Sequence, residues 1–213
     1  PIPRRQRQMC IRDSSWTFRK APGFFDVVTY SGNGGSSGNE QQISHNLGSK
    51  PGMIFVKRTD TGGEWYVFTD VIDGSYDYSK LHTTNSFSNS SNNVPTASVF
   101  NVGGAINVSG GTYVAYVFAN DDQSFGTNSD EAIIKCGSYT TNSSGVIPDV
   151  NLGFEPQWLL IKNTSTAGNW YLYDSMRGMP VGYNESTLYP NLSNAEVVGA
   201  NTVELTSTGF TGG

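Results

Sequence analysis

The densest group of chemically capable side chains is a set of carboxylates, Glu64, Asp70, Asp73 and Asp77. Two carboxyls facing each other can act as acid and nucleophile in glycoside hydrolysis, and oxygen-rich loops can ligate Ca²⁺. Neither pattern is complete. Glu64 and Asp70 have Asn169 and Ser175 at the matching places later in the chain, and neither this cluster nor Asp121-Asp122 has the spacing of an EF-hand loop. They read as solvated loop charges. The two histidines, His45 and His82, are too few for a histidine-based metal site, and His45 reads as a turn or packing residue. No catalytic residue, metal or cofactor is assigned, and the chain is expected not to be an enzyme.

Trp65-Tyr66 and Trp170-Tyr171 recur at matching places. Adjacent residues of a strand face opposite sides, so one aromatic of each pair is expected in the core and the other near the surface. A surface aromatic can stack on a sugar ring. Trp65, Tyr66, Trp170 and Tyr171 are therefore the candidate glycan contacts, although core packing is the preferred reading. Arg177, alone in an apolar and turn-rich stretch, reads as a loop anchor.

The elements that would carry these residues are β-strands. Aromatics make up 12% of the 213 residues, enough for a core, while charged residues are only 15%. Helix formers are scarce, and no apolar run is long enough to span a membrane. No apolar run follows the basic N-terminus, so no secretory leader is expected. A net charge of −5 argues against nucleic-acid binding, which needs a basic face. Cys10 and Cys136 form no disulfide framework.

Residues 4–14 differ from the rest. They hold four of the 13 basic residues, and back-translation resembles a transposase-library sequencing adapter across the whole run. Residues 1–14 are expected to be non-native and are set aside. Without them nine basic residues face seventeen acidic ones, a net charge of −8.

An internal repeat organises what remains. Asn46-Leu47-Gly48 recurs as Asn151-Leu152-Gly153, Met53-Ile54-Phe55-Val56-Lys57 as Trp158-Leu159-Leu160-Ile161-Lys162, and Gly63-Glu64-Trp65-Tyr66 as Gly168-Asn169-Trp170-Tyr171, always at an offset of 105. Strands are expected at 25–30, 53–59, 65–69, 97–102 and 113–119, then at 132–139, 157–163, 170–174 and 202–206. Tyr113-Val114-Ala115-Tyr116-Val117-Phe118-Ala119 is apolar enough for a strand buried on both faces. The fold class is all-β, with two tandem sandwich or jelly-roll-like repeats at 24–120 and 132–213. Residues 15–23 read as a strand or linker from an upstream domain, and 121–131 as the inter-repeat linker. By the offset, the counterpart of 113–119 would begin near 218, so the second repeat is expected to be incomplete.

Several longer strings are familiar. Trp16-Thr17-Phe18-Arg19-Lys20-Ala21-Pro22-Gly23-Phe24-Phe25, His45-Asn46-Leu47-Gly48-Ser49-Lys50-Pro51-Gly52, Ile134-Lys135-Cys136-Gly137-Ser138-Tyr139 and Met176-Arg177-Gly178-Met179-Pro180 are examples. Residues 15–213 resemble a domain family of unknown function from structural and tail-fibre-like proteins of marine tailed bacteriophages. The resemblance implies a virion tail or fibre component, assembled in the host cytoplasm, whose partners are other virion proteins and a host surface glycan. A homotrimer is expected by analogy with phage fibres. The competing reading is a carbohydrate-binding module of a secreted or surface bacterial protein. A glycan-degrading enzyme ranks third.

Overall fold

The computed structural model describes residues 16–179, 185–199 and 202–213. The adapter-like segment lies outside the described residues, as does Pro180. In the first half the strands are β1 (Phe25–Ser31), β2 (Gln41–Ser44), β3 (Pro51–Arg58), β4 (Trp65–Thr69), β5 (Asp77–Lys80), β6 (Ser88–Asn89), β7 (Val99–Val102) and β8 (Thr112–Ala119), with one short 3₁₀ turn at Gly104–Ile106. In the second half they are β9 (Val150–Asn151), β10 (Trp158–Lys162), β11 (Trp170–Asp174), β12 (Ser186–Thr187), β13 (Val197–Val198), β14 (Glu204–Thr206) and β15 (Gly209–Thr211). The protein is all-β, and the strand pairs are antiparallel.

Six strands form one sheet in the order β1-β8-β3-β4-β5-β6, and β2 pairs separately with β7. Alternation places Ile54, Val56, Phe68, Tyr113, Ala115 and Val117 on the inner face of the large sheet, where they meet Ile43, Phe100 and Val102 of the β2–β7 ribbon. The apolar run of β8 sits between β1 and β3, which explains its lack of polar residues: no part of it is a sheet edge. Asp26 closes the entry to this unit. Its carboxylate accepts from the N–H groups of Val27 (2.9 Å) and Asn46 (2.8 Å) and pairs with Lys20 at 2.7 Å. Burial alone would raise its pKa, but the Lys20 ammonium and the two backbone donors outweigh burial and hold it below the usual carboxylate range.

The second half is assembled from smaller sheets, β10-β11, β12-β13 and β14-β15-β9. Its core gathers Leu159, Tyr173, Val203, Leu205 and Phe210, with Ile161 and Tyr171 packed against them. The strand expected at 132–139 is absent: these residues form no ladder. In the first half the leading strand β1 is held by β8, and among the described residues of the second half no strand corresponds to β8. The segment instead bridges the two cores, with Ile134 packed against the first and Tyr139 against the second. The segment 121–131, expected to be a linker, is folded back on itself, with Phe125 and Glu131 exchanging two backbone hydrogen bonds of 3.0 Å. Phe18, expected in a linker, is wedged among Phe25, Phe118 and Trp158 at 5.5, 5.5 and 6.1 Å.

Candidate functional site

The hairpins β3–β4 and β10–β11 carry the four aromatic candidates. In the first, Met53 faces Thr69, Ile54 faces Phe68, Phe55 faces Val67, Val56 faces Tyr66 and Lys57 faces Trp65. In the second, Trp158 faces Asp174, Leu159 faces Tyr173, Leu160 faces Leu172, Ile161 faces Tyr171 and Lys162 faces Trp170. Every pair of the second is the corresponding pair of the first moved by 105 positions. Polar detail follows the same shift. Lys57 Nζ donates to the Gly63 carbonyl and lies 6.0 Å from the Trp65 ring. Lys162 Nζ donates to the Gly168 carbonyl at 2.8 Å and lies 6.0 Å from the Trp170 ring.

Tyr66 and Tyr171 point toward their respective cores. Trp65 and Trp170 point away from them, as strand alternation requires. Their exposures differ sharply. Trp65 is half-buried, stacked at 6.1 Å on Tyr116, and its indole N–H has no partner among the described residues. Trp170 is 1% exposed, so its ring offers no face to a sugar. It is covered by the connection after β5: its Nε1 donates to the Lys80 carbonyl at 3.1 Å, and its ring meets Phe87 at 5.9 Å. The same connection accepts hydrogen bonds at Thr84 O from Gly168 N (2.8 Å) and Lys162 Nζ (3.2 Å), while Phe87 N donates to Thr164 O at 3.1 Å. Adjacent-residue alternation finds the outward face, and only a contact ninety residues away in the chain decides that the face is covered.

The acidic cluster is dispersed among local partners. Glu64 pairs with Lys80 and lies 3.9 Å from His82, Asp70 pairs with Lys50, and Asp73 accepts from Ser75 at 2.6 Å. Asp77 is buried, and burial first, then the neighbouring Asp73, raises its pKa. Asp121 pairs with Lys135 at 3.2 Å. Among the described residues no group of three or more His, Cys, Asp or Glu could hold a metal. His45 is buried; its Nδ1 accepts from Leu47 N at 3.3 Å and its Nε2 lies 3.2 Å from Thr96 O, which fits the Nε2–H tautomer. Burial lowers its pKa, opposed by the Thr96 carbonyl and Asp26. Arg177 ties down its loop through Asp174 Oδ2 at 2.9 Å and Glu196 Oε2 at 2.6 Å. The string Gly34-Gly35-Ser36-Ser37-Gly38 spells G-x-S-x-G, but it lies in the connection between β1 and β2 and not at a strand-to-helix turn.

No helix among the described residues is long and apolar enough to cross a membrane. No curated protein and no solved structure matches the chain. A family model described as a domain of unknown function, DUF7483, matches residues 16–212, and the chain belongs to that family.

Proposed function

We propose that the chain is a structural or host-adhesion component of a bacteriophage tail or fibre, built from two tandem β-sandwich repeats and without catalytic activity. The observation that carries the architectural part is the register of the two hairpins, identical in five consecutive pairs at one offset. A register fixes which side chains face the core, so equal registers at a constant offset favour two copies of one unit over chance similarity. The virion assignment is supported by the resemblance of residues 15–213 to phage structural proteins. Its partners are other virion proteins and a host surface glycan. Peptide mass spectrometry of density-purified virus particles, set against the cellular fraction of the same sample, tests it. Peptides from 16–213 should travel with the particles, and confinement to the cellular fraction sinks the assignment.

Trp65 favours a second reading, a carbohydrate-binding module. It is half-exposed, with an indole N–H that has no partner among the described residues and with Lys57 beside its ring. Retardation of the chain in polysaccharide-loaded gels, lost on Trp65→Ala, supports this reading. Equal mobility with and without each polysaccharide removes it.

A further inference from the structure

The Trp170 joint has two sides, and each side has a second example in the chain. The donor side is the β10–β11 hairpin, and its counterpart is β3–β4 with Lys57, Gly63 and Trp65 in place of Lys162, Gly168 and Trp170. The acceptor side is the turn after β5, where Lys80 O receives both Thr83 N at 3.2 Å and Trp170 Nε1. Its counterpart follows β12, where Tyr189 O receives Leu192 N at 3.0 Å. A second tie confirms the pairing of these turns. His82 Nδ1 accepts from Trp65 N at 3.4 Å, and Asn191 Oδ1 accepts from Trp170 N at 2.9 Å.

Among the described residues, one donor and one acceptor are joined, and one of each is left over. On the spare donor side, Thr59, Asp60, Thr61, Gly62 and Gly63 are exposed, and the N–H groups of Gly63 and the Trp65 indole have no partner among the described residues. On the spare acceptor side, Leu192 is 42% exposed, and β13 adjoining it shows Val197 and the 67% exposed Val198. Exposed apolar side chains grouped at one end of a molecule mark an interaction surface.

We infer that the chain docks onto a second copy of itself head to tail, with the Trp65 hairpin of one copy seated on the 189–193 turn of the next. The inference rests on reading the two halves as copies of one unit. Trp65 Nε1 would donate to Tyr189 O, and Gly63 N and Lys57 Nζ to Ser193 O, repeating the bonds to Lys80 O and Thr84 O. The ring that meets Trp170 is missing from the new joint: the matched turns lie 109 positions apart (80 and 189, 83 and 192), so the place of Phe87 falls at Glu196, which is held by Arg177. The external joint is therefore weaker than the internal one. The contact uses two different faces, so it is heterologous and extends into a row instead of closing as a symmetric dimer.

Sedimentation velocity of the full chain over a concentration series tests this. The wild type should associate beyond a dimer. Trp65→Ala and, separately, Leu192→Lys should each weaken association at least about tenfold, with unchanged circular dichroism. Mixing the two variants should restore dimers but nothing larger, since each keeps one intact face. A chain that stays monomeric to about 1 mM, variants that associate like the wild type, or a mixture that fails to pair would overturn the joint. Trp170→Ala gives the separate reading on the template: it should speed hydrogen exchange at the Gly168 and Phe87 N–H groups, which bond across the internal joint. If it does not, the internal joint carries no energy and the analogy falls, whatever the association data show. The particle assignment is decided by mass spectrometry alone, so the two can fail independently.

Discussion

Tyr30 and Tyr113 stand opposite each other across β1 and β8, their rings stacked 5.0 Å apart and 10° from parallel. Both hydroxyls reach the short turn at the end of the first core. Tyr30 donates to Ile106 O at 2.7 Å, while Tyr113 accepts from Val108 N at 3.0 Å. Replacing Tyr113 by Phe keeps the stack and removes the acceptor of the Val108 N–H. The expected cost is about 0.5–1.5 kcal/mol, read as a shift of the urea midpoint without a change in slope.

The two tryptophans should differ in their contribution to stability. Trp170 is fully buried, so Trp170→Ala leaves a cavity and removes the Nε1 bond to the Lys80 carbonyl, for about 3–5 kcal/mol. Trp65 is half-exposed, and Trp65→Ala should cost about 1–2 kcal/mol. Urea unfolding of dilute protein, followed by far-UV circular dichroism, checks the order. Equal losses would mean that the connection after β5 does not hold Trp170 in solution.

Gly209 opposes Asn151 in the β15–β9 pair, and a Cβ on it would lie 1.9 Å from Val150 O. Backbone cannot yield as a side chain can. Gly209→Ala should separate β15 from β9 and destabilise the second half by about 1–3 kcal/mol. Hydrogen exchange should show faster exchange around 150–152 and 209–212, with the first half unaffected.

Acid should weaken the fold in two stages. Folded His45 is harder to protonate than the unfolded residue, whose pKa is about 6.5. Its contribution is therefore full above that value and declines as the pH falls through it toward the folded pKa. Folded Asp26 lies below the ordinary carboxylate value of about 3.9. Its contribution persists above that value and is lost as the pH falls through the folded pKa. Urea midpoints measured against pH should fall in both ranges, and His45→Gln should flatten the upper one.

Cys136 should be inert in the folded chain. Burial first, and Asp70 second, push its thiol up to about 12, and its side chain sits against Gly52, where an added Cβ would lie 2.9 Å from Sγ. Iodoacetamide at pH 8, read by peptide mapping at Cys136, should label it slowly in buffer and quickly in urea.

The central hairpins were legible in the sequence because their continuous apolar runs recur at a fixed offset. Met53 through Lys57 and Trp158 through Lys162 announce both position and register. The short strands were not. β2 reads Gln-Gln-Ile-Ser, with one apolar residue, and β5 buries Asp77 and Ser79. Ser79 is sheltered by the connection after β5, whose Asn85 carbonyl accepts its hydroxyl at 3.1 Å, and no local pattern encodes that cover. The segment 132–139 shows the opposite failure. Its composition is strand-like, but a ladder needs a partner, and composition does not reveal whether one is present.

The pairing of β1 with β8 also sets how the first unit would respond to tension. The chain enters at Phe25 and leaves after Ala119, and Phe25 faces Phe118 in the register. Entry and exit therefore lie side by side at one end of an antiparallel ladder. A pull along the chain would load the rungs one after another from that end, as in opening a zipper, and not all together in shear. The first half should give way at low force and lengthen gradually, taking up strain while neighbouring segments stay folded.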